Sequence, residues 1–363
     1  VAHGRPDQEA EEYTLIKVLV VDDSAFMRKA ISTMLENDPG IRVVGTARNG
    51  EEGLEQTRRL DPDVITMDIE MPRMDGLTAL RHIMMEMPRP VLMVSSLTTE
   101  GAQDTLKAME LGAVDYIPKQ LSRVSLDIIK IEDDLIAKVK SVARRKVFRP
   151  AVRKRPTMDR PVVPKTPASR LAVRRDVVAI GVSTGGPPAV QAILSALPAD
   201  FPAGIVIAQH MPQAFTGPFA QRLDGVCKIR VKEAEDGETF AAGTAYIAPG
   251  GRHTTLKQRV SRIEIRVGDE PADSLYKPSA NVLLHSVAKA VGRRGLGVIL
   301  TGMGNDGCEG IADLKSKGGR ALTQSDETCV VYGMPKAVAE AGLSDGVVDL
   351  DDMARAIMDN LFQ

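Results

Sequence analysis

The feature that most constrains this chain is an alternation that occurs twice. Between residues 17 and 138, short strand-like segments at 17–21, 41–46, 64–67, 90–94 and 113–117 alternate with stretches of helical spacing at 24–35, 50–60, 77–87, 101–111 and 125–138. Runs such as Val18-Leu19-Val20-Val21 are apolar at every position, the pattern of strands buried on both faces. Five strand–helix alternations predict a parallel sheet covered by helices. A second block begins at Asp176, with strand-like segments at 177–181, 204–209, 245–248, 260–267, 297–301, 320–323 and 346–349. Helical patterns lie between them at 189–197, 215–223, 279–291, 309–316, 334–341 and 353–361. This predicts a second, doubly wound α/β domain.

Between the blocks the character changes. Residues 138–175 hold fourteen Lys/Arg, the single acid Asp159, and prolines at 150, 156, 161, 164 and 167. Prolines at that density prevent a helix or a sheet, so an extended cationic linker is expected. The expected organisation is therefore a polar extension over 1–14, a first domain over 15–138, a linker over 139–173 and a second domain over 174–363. With 43% hydrophobic and 26% charged residues, 363 residues suffice for two ordinary cores. A net charge of −1 argues against a nucleic-acid or membrane-surface binder. The absence of Trp and 3% aromatics argue against a base-stacking platform. No apolar run reaches the ~18–20 residues of a membrane span, and residues 1–9 carry no signal-peptide core. Three cysteines, Cys227, Cys308 and Cys329, without CxxC spacing, fit neither a disulfide framework nor a zinc site and point to a reducing cytoplasm.

In an open parallel sheet, ligands bind at the carboxyl ends of strands. In the first block those ends carry Asp22 and Asp23, Asp68, Ser95 and Lys119. With strand order 2-1-3-4-5 the acids share one rim. Clustered carboxylates repel and call for a hard cation such as Mg²⁺, beside which a carboxylate can attack a phosphoryl group. Each Asp alone is a common cap residue; five fitting residues at strand ends are not accounted for by capping.

In the second block, Gly181-Val182-Ser183-Thr184-Gly185-Gly186 follows a strand and precedes a helix, matching the G-x-S-x-G nucleophile turn in letters and context. Phosphate-binding alternatives fail, since no GK[ST] follows and Ser183 replaces the second Gly of G-x-G-x-x-G. A serine nucleophile needs a base and an orienting acid. Of five histidines, His3 is in the extension, His82 in the first block, His285 on a helix, and His253 at a turn that could line a cleft. His210 ends the strand 204–209 and is the best-placed base. Asp306 lies in Gly302-Met303-Gly304-Asn305-Asp306-Gly307, after strand 297–301; alone it reads as a turn residue, with Ser183 and His210 as the third triad member. The order Ser183, His210, Asp306 departs from the Ser…Asp…His of α/β-hydrolases.

Residues 17–138 resemble a response-regulator receiver domain, through 18–24, Met67-Asp68-Ile69-Glu70-Met71-Pro72-Arg73-Met74-Asp75-Gly76, Ser95 and Lys119. The resemblance implies a flavodoxin-like fold and Asp68 as phospho-acceptor. It implies Mg²⁺ held by Asp22, Asp23, Asp68 and the Glu70 carbonyl, phosphoryl contacts from Ser95 and Lys119, and Tyr116 as a switch aromatic. Gln120 stands where the family has a proline with a cis bond, which before Gln would cost ~2.5–4 kcal/mol.

Residues 176–363 resemble the chemotaxis protein-glutamate methylesterase family, through Ser183-Thr184-Gly185-Gly186, Gln209-His210-Met211-Pro212 and 301–307. The resemblance implies a phosphorylation-activated serine hydrolase acting on glutamate methyl esters of chemoreceptor helices, with possible glutamine deamidation. Position after the nucleophile makes the Thr184 N–H an oxyanion donor, and the resemblance adds that of Met303. No cofactor is expected for the ester step. The expected partners are methyl-accepting chemoreceptors and a sensor histidine kinase, with no nucleic acid and no membrane insertion. A receiver joined to a hydrolase is expected to pack over the catalytic rim through its fourth helix and fifth strand. The rival reading, a receiver-controlled DNA-binding regulator, rests on the basic linker; no helix-turn-helix pattern supports it.

Overall fold

The computed structural model describes residues 15–96, 98–119, 125–143 and 174–363. The first domain runs β1 (Ile16–Val21), α1 (Ala25–Glu36), β2 (Ile41–Ala47), α2 (Gly50–Leu60), β3 (Val64–Asp68), α3 (Gly76–Glu86), β4 (Val91–Ser95), α4 (Thr99–Glu110), β5 (Asp115–Pro118) and α5 (Ser125–Ala143). The sheet order is β2-β1-β3-β4-β5 and every pairing is parallel, as expected. Every residue of β3 and β4 is buried, the physical reason their sequences are apolar, apart from Thr66, up to a terminal Asp or Ser. Helix starts follow local chemistry: Ser24, Asn49, Asp75 and Thr98 each accept an N–H of the first turn. Gly76 is required by close approach, since a Cβ there would lie 1.9 Å from the Asp68 carbonyl oxygen.

The second domain contains β6 (Val177–Val182), α6 (Gly186–Ala196), β7 (Gly204–Gln209), α7 (Gln213–Asp224), β8 (Arg230–Glu233), β9 (Thr244–Ile247), β10 (His253–Gln258), β11 (Ile263–Gly268), α8 (Ala280–Val291), β12 (Gly295–Ile299), α9 (Cys308–Ser316), β13 (Arg320–Gln324), α10 (Met334–Glu340), β14 (Gly346–Val348) and α11 (Leu350–Leu361). Seven strands form one sheet in the order β14-β13-β12-β6-β7-β9-β8, all parallel. The chain leaves β6 toward β7 on one side and later returns to β12 on the other, so the order reverses at β6. One face packs α6, α7 and α11; the other packs α8, α9 and α10.

Three expectations are corrected. The strand expected over 260–267 begins at Ile263 and stands outside the seven-stranded sheet, paired antiparallel in a separate hairpin with β10, which was not expected. The short edge strand β8 was not expected; only Val231 of its four residues is buried, so it carries no apolar run. Helix α5 continues past residue 138 to Ala143, because Val139 and Val142 are buried against the first core; Lys138 and Lys140 belong to that helix. The extension 1–14, Gln120 and the linker residues 144–173 lie outside the described residues.

Candidate active site

The nucleophile turn is fixed from both sides. The Ser183 N–H donates to the Thr301 carbonyl beyond β12 (3.0 Å), and the Ser183 carbonyl accepts from Gly186 N–H (2.8 Å) and from the Gln209 amide at the end of β7 (3.0 Å). Gly185 sits at φ +75°, and a Cβ on Gly186 would lie 2.1 Å from the Gln209 amide oxygen. The glycines of the turn are thus dictated by backbone shape and by crowding. The His210 N–H donates to the Val182 carbonyl (3.0 Å), which sets His210 beside the same strand end.

Asp306 lies at the amino end of α8. It accepts four hydrogen bonds: from the Ser279 hydroxyl (2.9 Å), the N–H groups of Ala280 (2.7 Å) and Asn281 (2.9 Å), and His210 Nε2 (2.8 Å). Burial alone would raise its pKa; the donors and the His210 ring hold it below the usual carboxylate value. An ionised acceptor on Nε2 assigns the proton to that nitrogen. Nδ1 is buried and without a hydrogen-bond partner among the described residues, and is therefore the basic nitrogen. Ser183, His210 and Asp306 follow β6, β7 and β12, three adjacent strands at the point where the sheet order reverses. The N–H groups of Thr184 and Met303 donate to no acceptor among the described residues, as oxyanion donors require.

His253 does not line the cleft. It is buried, its Nδ1 accepts from Ser279 N–H (3.3 Å), and its Nε2 meets the Pro271 carbonyl (3.2 Å); burial pushes its pKa down. It is a neutral strut under the segment that grips Asp306. His285 lies on α8 beside Asp313. Sequence reasoning missed Ser279, whose place before an apolar helix was its N-cap signal, and Tyr276, which carries no such signal.

In the first domain, Asp22 and Asp68 are buried and Asp23 is exposed; one carboxylate oxygen from each lies within 4.8 Å of the others. Lys119 Nζ is 2.6 Å from Asp68 and 3.9 Å from Asp22. Asp22 Oδ2 and Asp68 Oδ2 are buried without a hydrogen-bond partner among the described residues. Desolvation pushes Asp68 up to about 6, against the pull of Lys119, and raises Asp22. Two orphaned carboxylate oxygens beside a third acid fit a hard divalent cation. Ser95 Oγ accepts from Thr105 Oγ1 (2.7 Å) and lies 3.2 Å from the Gly101 carbonyl, engaged with α4. Tyr116 is buried, and its ring stacks on Phe215 of the second domain at 4.8 Å and 6°.

That stack belongs to a broad contact. Helix α4 packs on α6 and α7, Arg222 pairs with Glu110, and one apolar cluster crosses the boundary. Thr184 Oγ1 donates to Asp115 Oδ2 (2.6 Å). Asp115 also meets Lys138 (3.3 Å), which in turn binds Asp134 and the Tyr116 carbonyl. Val331 is buried in the apolar cluster that contains residues of α1 and α5, and half-buried Met303 and Val330 pack against that cluster. The receiver-like domain thus touches the loop that carries Thr184, and shares with Val331 the apolar cluster against which Met303 packs.

Comparison with known proteins agrees with both halves. Residues 178–357 match the CheB methylesterase family and residues 18–129 the response regulator receiver domain. The protein-glutamate methylesterase/protein-glutamine glutaminase 1 of Oleidesulfovibrio alaskensis is 68% identical, covering 96% of this chain and all of that protein. The corresponding protein 2 of Nitratidesulfovibrio vulgaris is 67% identical over the same shares. Among solved structures, the Thermotoga maritima CheB methylesterase catalytic domain matches at 39% identity and TM-score 0.50, covering 52% of this chain and all of that one. These matches disfavour the DNA-binding alternative. The chain belongs to the CheB methylesterase family, with a response-regulator receiver domain preceding the catalytic domain.

Proposed function

We propose that the chain hydrolyses γ-glutamyl methyl esters on chemoreceptors under control of phosphorylation, as an adaptation enzyme of two-component chemotaxis signalling. The observation that carries this reading is the His210–Asp306 pair beside Ser183, at adjacent strand ends of a sheet whose close relatives bear that name. His210 Nδ1 takes the Ser183 proton as Oγ attacks the ester carbonyl. The C–O bond to the methoxy group breaks, His210 returns the proton, and methanol leaves. Water then repeats the sequence on the acyl-enzyme and frees the glutamate. Asp306 holds the tautomer and balances the imidazolium. The N–H groups of Thr184 and Met303 receive the oxyanion; a donor of this kind is worth ~3–4 kcal/mol. The same chemistry on glutamine would release ammonia.

The receiver supplies control. Asp68 is the phospho-acceptor, and a cation held by Asp22, Asp23, Asp68 and the Glu70 carbonyl would offset charge during phosphoryl transfer. Lys119 and Ser95 contact the phosphoryl oxygens. Ser95 must leave Thr105 for that role, which loosens α4, the helix seated on α6 and α7. Asp115 and Tyr116 on β5 then lose their hold on Thr184 and Phe215, and the rim opens. Shifting a closed:open ratio from 99:1 to 1:99 takes ~5.5 kcal/mol, within reach of a contact of this extent. The partners are methyl-accepting chemoreceptors and the pathway's sensor histidine kinase, and the site of action is the cytoplasm; among the described residues no helix is long and apolar enough to cross a membrane. The test is methanol release from methylated receptor, with and without a small phosphodonor and Mg²⁺. Release that ignores the phosphodonor overturns the control; no release in either state overturns the activity.

A further inference from the structure

Tyr276 lies with its ring flat on the His210 imidazole, centroids 4.2 Å apart and planes 11° from parallel. The contact matters because His210 is otherwise held by few bonds. Its side chain has one hydrogen bond, Nε2 to Asp306, while Nδ1 has none among the described residues. One bond fixes a point of a ring but not its plane. A general base needs both, since a misplacement of ~1 Å costs about 10²-fold in rate.

The stretch that carries Tyr276 is itself anchored. The Tyr276 carbonyl accepts from the Ser274 hydroxyl (3.0 Å), the Lys277 carbonyl from Gly251 N–H (3.0 Å), and Ser279 N–H is fixed on buried His253. That stretch continues directly into Ser279, Ala280 and Asn281, the donors to Asp306. One short piece of chain therefore grips the acid by its polar groups and the base by an aromatic face. The ring also covers an imidazole that becomes cationic in the transition state, and aromatic faces favour cations. The Tyr276 hydroxyl has no hydrogen-bond partner among the described residues. It faces Gly304, where a Cβ would sit 3.4 Å away, and burial raises its pKa, so it stays neutral.

We propose that Tyr276 is a positioning residue of the hydrolase: its aromatic face sets the plane of His210, so that Nε2 stays on Asp306 and Nδ1 stays free for the Ser183 proton. The proposal rests on the triad reading above.

The test uses the full chain, activated with a small phosphodonor and Mg²⁺. A fluorophosphonate probe counts reactive Ser183 and times its labelling, and methanol release from methylated receptor gives kcat and KM. Rates are taken per labelled site, so a partly misfolded variant lowers amplitude and not rate. Tyr276→Leu is expected to lower kcat and the labelling rate about 10- to 100-fold, the cost of a misplaced base, with KM nearly unchanged. Tyr276→Phe keeps the face and is expected within about twofold of the parent, as removal of an unbonded hydroxyl costs little. A parent-like rate per site in Tyr276→Leu, or a Phe variant as slow as the Leu variant, overturns the proposal. Ser183→Ala and His210→Ala serve as controls: if they retain hydrolysis the triad reading fails, whereas dead controls beside a fast Tyr276→Leu sink the Tyr276 role alone.

Discussion

Two buried aspartates end parallel strands or follow them in the two domains, and their surroundings are opposite. Asp306 accepts four hydrogen bonds and its pKa is held down. Asp68 has Lys119 and the Glu70 N–H on one oxygen, no hydrogen-bond donor on the other, a second acid nearby, and a pKa pushed up to about 6. A carboxylate whose lone pairs are all engaged is a fixture: it orients a neighbour and does not react. A carboxylate left with a bare, poorly solvated oxygen is a reagent that awaits a cation and an electrophile. The number of donors, not burial, separates the two roles, since both side chains are almost fully buried.

Substituting each acid alone separates the two roles. Asp306→Asn is expected to cut kcat for methanol release about 10⁴-fold, because the amide reverses the His210 tautomer, and to leave phosphorylation of Asp68 intact. Ser183→Ala should be equally damaging, and adding His210→Ala to it should make matters hardly worse, since triad members act as a unit. Asp68→Asn should do the reverse: no phosphate incorporated, and esterase activity fixed at the basal rate when phosphodonor is added.

Folding stability responds to the two acids with opposite sign. Asp306 has a depressed pKa, so its contribution is present above the unfolded value and is lost as pH falls through the folded one. Asp306→Asn should therefore lower the melting temperature at pH 7. Asp68 is raised from 3.8 to about 6, so its ionisation opposes folding. That penalty develops as pH rises from about 4 to 6 and is complete above; a shift of this size is worth ~3 kcal/mol at most. Asp68→Asn should raise the melting temperature at pH 7 without Mg²⁺, and added Mg²⁺ should stabilise the parent more at pH 7 than at pH 5. Shifts of the same sign for both variants would refute the assignment of roles.

The smallest expected effect concerns the domain contact. Asp115→Ala removes the acceptor for Thr184 and should raise unphosphorylated activity up to about tenfold, equivalent to ~1.4 kcal/mol. Arg222→Ala breaks a half-exposed ion pair worth ~0–1 kcal/mol and should raise it less. A basal rate unmoved by Asp115→Ala would place the restraint elsewhere.

Much of this was legible in the sequence because both sites use residues at strand ends. Asp22, Asp68, Ser183, His210 and Asp306 each follow an apolar run that marks its own end. What escaped depends on contacts between segments remote in sequence. β8 buries only Val231, and the buried residues of β10 include His253 and Thr254, so neither carries an apolar run. Asp115 went unnoticed within the strand over 113–117, since its partner Thr184 lies in the other domain. Ser279 and Tyr276 act on Asp306 and His210 across the fold, and neither belongs to a motif.

The placement of Ser183 between β12 and β7 also bears on how the molecule is made. The receiver sheet closes through neighbours in sequence and is complete by residue 143. The catalytic cleft is not: β6 pairs with β12, more than a hundred residues later, and long-range closure of this kind is slow. Domains fold in order as the chain emerges from the ribosome. The receiver surface that will hold Thr184 and Phe215 is therefore built before the strand that brings Asp306 has been synthesised, so on the function proposed above a newborn molecule would meet its restraint before it acquires its chemistry.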